Sequence, residues 1–97
     1  MVYYDMRDYK HVGFRQSRRG LKMYDAVLIR KSDKKRIYVP FGDKSMQNYA
    51  DRTKLNMYPH LIHGDKKRKN AYQLRHFRFI KPGFYSPGWF SWHYLWK

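Results

Sequence analysis

Histidines and carboxylates are the first places to look for chemistry in this 97-residue chain. His60 and His63 stand three apart and Asp65 follows two later, a two-histidine, one-carboxylate set of the kind that can hold a transition metal. Pro59 and Gly64 sit in the same stretch, so these residues fall in a loop that does not fix ligand directions. Local capping and packing is the stronger reading. His76 follows Arg75 in a basic segment and suits an ion-pair or polyanion contact, His93 belongs to an aromatic stripe, and His11 lies in an unpatterned stretch. Nucleophilic chemistry finds little support. There is no Cys, no Ser in a nucleophile-elbow setting, no marked pair among the scattered Asp residues and no glycine-rich phosphate loop. The expectation is a non-enzymatic protein with no cofactor and no bound metal.

Charge says more. Lys66-Lys67-Arg68-Lys69 and Arg75 form one basic cluster; Arg15, Arg18 and Arg19, just before Gly20, form another. Such a run is most often a solvated helix face. Here it falls in the first turn of a predicted helix, where cations oppose the macrodipole, and that favours a bound polyanion or an acidic partner. The chain as a whole has 22 Lys and Arg against 7 acids, all of them Asp, for a formal charge of +15, and no acid follows Asp65. A chain so charged is drawn to polyanions. Aromatics make up 20% of the residues, too many for a flexible basic tail, which could not bury them. Without Cys, disulfide scaffolds and cysteine zinc sites are excluded. No apolar run approaches the roughly 18 residues of a membrane span, and the N-terminus lacks the apolar core of a signal peptide.

The elements that must carry these groups read as an α+β order. Residues 1–23 show neither period and suggest an extended basic arm, leaving 24–97 as a compact domain. Residues 24–30 and 36–41 look like strands joined by the polar turn 31–35, with Pro40 confined to a strand end or an edge. Asp43 would cap a short helix carrying Met46, Tyr49 and Ala50. Asp65 would cap another over about 66–80, with Ala71, Leu74 and Phe77 or Arg78 on one side. Ser86-Pro87 would start a third, placing Trp89, Trp92, His93 and Trp96 in a stripe. The expected architecture is a small single domain, an antiparallel hairpin packed by two or three short helices. Tyr72, Trp89, Trp92 and Trp96 should form its aromatic core, with part of that surface open to an interface. No zinc-finger spacing, RNP-type motif or helical GxxG loop marks a known nucleic-acid module.

Several motifs resemble a small protein family of large, giant or algal-type, double-stranded DNA viruses. They are Tyr24-Asp25-Ala26-Val27, Val39-Pro40-Phe41-Gly42 with Tyr49, and His63-x-Asp65-x-x-Arg68-Lys69-x-x-Tyr72-x-x-Arg75-His76. The tail Gly88-Trp89-Phe90-Ser91 with Leu95-Trp96 is similar too. The resemblance spans about 24–96. Lys81-Pro82-Gly83-Phe84-Tyr85 departs from the more polar, acid-containing linker of that family, and Trp92 and His93 break its usual order of Arg and Trp.

The resemblance implies a viral setting and a shared hairpin–helix core rather than a mechanism. Within that setting the favoured expectation is a virion structural protein, a minor capsid or cementing component. It would bind neighbouring coat proteins in a large assembly through its arm and aromatic surface, since interfaces favour Tyr, Trp, Phe and Arg. The alternative is a basic protein that binds nucleic acid and neutralises or packages viral DNA. Both place it in the virion, and in the host cytoplasm or nucleus during assembly. Arg15, Arg18, Arg19, Lys66, Lys67, Arg68, Lys69 and Arg75 are the expected partner or polyanion contacts.

Overall fold

Alternating apolar residues in the first half of the chain become strands in the computed structural model, which describes residues 2–97. A short strand β1 (Tyr4–Asp5) precedes β2 (Tyr9–Gln16), β3 (Lys22–Arg30) and β4 (Arg36–Asp43). The last three form an antiparallel sheet in the order β2-β3-β4. The central strand β3 is buried from Met23 to Leu28. The turn between β3 and β4 closes as its residues dictate. Lys34 takes a left-handed φ of 61°, Lys34 N–H donates to Arg30 O at 2.8 Å, and Asp33 Oδ1 accepts from Lys35 N–H at 3.1 Å. β4 is an edge, where Pro40 is tolerated.

Among the described residues, the expected extended arm over 1–23 does not stand apart from the domain. β2 pairs with β3 from Tyr9 opposite Arg30 to Gln16 opposite Tyr24, and β3 itself begins at Lys22, so no structural division falls after residue 23. β1 pairs with β5 (Phe84–Tyr85). The strand is hard to see in the sequence because a bulge between His11 and Gly13 shifts its alternation by one residue. His11 and Gln16, both polar, also stand opposite the core positions Leu28 and Tyr24.

Two helices follow. Helix α1 (Lys66–His76) is capped by Asp65, whose Oδ1 accepts from Lys67 N–H at 2.9 Å and Arg68 N–H at 3.3 Å; a 3-10 turn, Phe77–Phe79, ends it. Helix α2 (Pro87–Leu95) is capped by Ser86 Oγ, which accepts from Trp89 N–H at 3.1 Å. The expected helix after Asp43 does not form. Asp43 Oδ1 closes a turn onto Ser45 N–H and Oγ, and the N–H groups of Asn48, Ala50 and Arg52 donate to Leu61, Leu95 and Tyr94 carbonyls. Those carbonyls, distant in sequence, take the donors a helix would have used. The intervening loop contains a 3-10 turn at Pro59–Leu61. It is tied to the sheet by Tyr24 Oη, which donates to Asp51 Oδ2 at 2.5 Å and accepts from Met57 N–H at 3.0 Å.

The result is a small single α+β domain with antiparallel sheets and two helices. α2 covers one face of the sheet, and Phe90 and Leu95 join Met23, Tyr24, Leu28, Val39 and Phe41 in the core. Strand and helix approach closely at Gly42, which has a φ of +76°. A Cβ there would meet Leu95 Cδ1 at 3.0 Å and Met23 Sδ at 3.1 Å.

Candidate anion-binding cleft

α1 turns inward a face that its composition does not advertise. Leu74 and Phe77 point outward, 75% and 55% exposed, while Lys69, Tyr72, Gln73 and His76 face the body of the protein. Ring stacking fixes this orientation. His76 lies 4.1 Å from Tyr72, and Tyr72 lies 4.2 Å from Trp96 with the rings 4° from parallel. Gln73 Nε2 adds a hydrogen bond to Trp96 O at 2.9 Å. Burial pushes the Tyr72 hydroxyl up to about 12, so Tyr72 serves as a neutral wall.

Between α1 and the end of the sheet where Lys22 pairs with Asp43 lies an open cleft of 370 Å³. Arg68, Tyr72, Arg75 and His76 line it at helical spacing from α1, and Lys22 enters from β3. Arg68 Nη1 donates to Gln47 Oε1 at 2.8 Å, which aims the guanidinium. Asp43 is the one acid among the lining residues. Its carboxyl is held below its ordinary value by the Ser45 hydroxyl and N–H, and more weakly by Lys22. His76 is held below its ordinary value by burial and by Arg75. The cleft thus gathers three permanent cations around an acid that is already hydrogen-bonded.

Cations elsewhere divide sharply. Among the described residues, ion pairs join Arg7 to Asp5, Arg15 to Asp25 and Arg30 to Asp33. Arg15 is therefore engaged. Its Nε donates to Asp25 Oδ2 at 2.9 Å, and its guanidinium sits 3.5 Å over the Tyr38 ring. Arg18 and Arg19 are exposed in the turn before β3. That turn adjoins the cleft, since Lys44 N–H donates to Leu21 O at 2.9 Å. Lys66 and Lys67 stand exposed on the first turn of α1, whereas Lys69 lies inward with its Nζ 5.0 Å over Tyr49.

The sequence-named residues are thus brought together only in part. Arg68 and Arg75 meet in the cleft with Tyr72 and Trp96; Arg15 is elsewhere. Trp96 is core, Trp89 packs against the core beside Tyr85 at 5.2 Å, and Trp92 lines a shallow outer groove with Leu74 and Phe77. His63 Nδ1 accepts from Asp65 N–H at 2.8 Å while Asp65 caps α1, so both are committed to local capping, and His60 is exposed. Sequence reasoning missed Lys22 and Gln47 as cleft residues. No local signal marks either, because strand pairing and loop path bring them there. Comparison with protein-family models, curated proteins and solved structures finds no match for this chain.

Proposed function

We propose that this chain is a non-enzymatic nucleic-acid-binding protein, acting within the particle or at the assembly site of a large double-stranded DNA virus. One observation carries the reading: Lys66, Lys67, Arg68, Arg75 and Lys22 lie together on α1 and its cleft with no ion-pair partner among the described residues. Of these, Lys66, Lys67 and Arg68 stand at the positive end of α1, where cations lower the stability of the free protein and a phosphate backbone relieves that strain. Neutralising phosphates releases counterions, which makes binding strongly salt-dependent. The viral setting rests on the motif resemblance.

A second reading, a minor capsid or cementing protein bound to coat proteins, keeps support from a different surface. Leu74, Phe77 and Phe79 are 75%, 55% and 52% exposed beside Trp92, the kind of apolar patch that marks protein interfaces. It ranks second because, within the 1–23 segment expected to reach along neighbours, Tyr9–Gln16 is a strand of the domain's own sheet.

The deciding experiment is fluorescence anisotropy of labelled DNA titrated with the protein at several salt concentrations. Contact through the five named cations predicts a log–log slope near −4 to −5 on duplex. Absence of binding at about 50 mM salt would overturn the nucleic-acid reading. Retention in the shell of nuclease-treated, salt-washed particles would then establish the capsid one.

A further inference from the structure

Resting on the nucleic-acid reading, we infer that the cleft between α1 and the Lys22–Asp43 end of the sheet takes a terminal phosphate monoester, so that the protein grips strand ends. Three observations converge on that ligand. The first is charge. Lys22, Arg68 and Arg75 oppose only Asp43, which leaves the cleft two charges positive. A phosphate monoester carries about −1.5 to −2 at pH 7 and matches that excess, whereas each phosphodiester along a strand carries only one negative charge.

The second is size and access. A cleft of 370 Å³ lies at the small end of ligand sites, suited to the last nucleotide of a strand. Arg68, one of its lining residues, belongs to the first turn of α1, where the exposed Lys66 and Lys67 can follow the adjoining backbone.

The third is preorganisation. Arg68 is held by Gln47 at 2.8 Å, which leaves its remaining guanidinium N–H groups to fork onto phosphate oxygens. Tyr72 is covered on both faces by His76 and Trp96. It therefore offers no platform on which a base could stack, and recognition falls on the phosphate and sugar. The site reads a chemical end and is indifferent to base identity.

The test compares one labelled oligonucleotide bearing a 5′-phosphate, a 3′-phosphate or hydroxyls at both ends, by anisotropy at fixed salt. A phosphate at one end should tighten binding about tenfold or more, since tenfold is the scale of a single charge-assisted hydrogen bond. Two competitors separate the sources of the monoester. A free nucleoside monophosphate should erase the tenfold increment, and inorganic phosphate at the same concentration should do so less well. Arg75→Ala and Lys22→Met, each verified as folded by circular dichroism, should bring the phosphate-to-hydroxyl ratio to one, whatever they do to overall affinity. If all three oligonucleotides bind equally, the end-binding inference falls and the polyanion reading stands. If none binds, both fall. A preference that survives in both variants would place end recognition outside this cleft and overturn the assignment.

Discussion

Reversing Lys66 and Lys67 to Glu should make the protein more stable and a worse binder at once. Both side chains are exposed on the first turn of α1, immediately after the capping Asp65, and neither makes a side-chain hydrogen bond or ion pair among the described residues. Each cation there opposes the helix dipole by a few tenths of a kcal/mol, and an acid in its place gains a similar amount. Solvent screening and repulsion from Asp65 trim the gain, leaving about 1 kcal/mol for the pair. For a domain of this size that corresponds to a rise in Tm of about 4–8 °C at low salt. The double reversal also lowers the formal charge of +15 by four units, which eases self-repulsion. Binding should move the other way, with the log–log salt slope on duplex DNA shallower by about 2 as two phosphate contacts are lost. Thermal melts by circular dichroism and anisotropy titrations read the two effects separately. A lower Tm would refute the argument that these lysines are misplaced for folding. A higher Tm with an unchanged salt slope would remove the first turn of α1 from the nucleic-acid contact.

Three further expectations follow from the packing. Gly42→Ala should cost about 2–5 kcal/mol, combining a left-handed backbone conformation with crowding against Leu95 and Met23; a urea midpoint within error of the parent would sink that account. Tyr24→Phe should cost about 1–3 kcal/mol in urea melts, because Met57 N–H and Asp51 Oδ2 lose their partner. In the parent, burial and then Asp51 push the Tyr24 hydroxyl up to about 12, so its contribution is whole below pH 10 and is lost as pH rises toward 12; the variant should show a shallower alkaline decline. Acid should act early. His11, His63, His76 and His93 are all held below their ordinary value of 6.5, chiefly by burial, so the unfolded chain takes up protons first. Stability should be complete above pH 6.5 and fall as pH drops to 5, and a flat urea midpoint across that interval would contradict it.

Features written in adjacent residues were legible in the sequence. The β3–β4 hairpin follows from two β-branched runs around a polar turn, and both helix starts follow from Asp65 and Ser86, because capping is settled within three or four residues. Strand β2 was hidden because its bulge shifts the alternation and a polar residue, His11, takes one of its core-facing positions. Residues 43–50 misled because the choice against a helix is made by carbonyls at Leu61 and Leu95. The inner face of α1 misled for a similar reason. Leu74, and Phe77 just past its end, are the most apolar residues there, yet stacking on Trp96 draws Tyr72 inward and turns them out. Half of the cleft was visible, since Arg68 and Arg75 lie seven apart on one helix. Lys22 joins them only through the pairing of β3 with β4.

The covering of the sheet by α2 has a consequence for how the molecule comes into being. β2, β3 and β4 are complete by Asp43, but the helix that shields Phe14, Tyr24 and Phe41 begins only at Pro87, after residues 44–86 have been made. During synthesis the nascent hairpin must therefore wait with its apolar side bare, a period in which sticking to other chains competes with closure. Pro40 on the outer strand tempers that hazard, because it removes one donor from the edge that another strand would need to pair with.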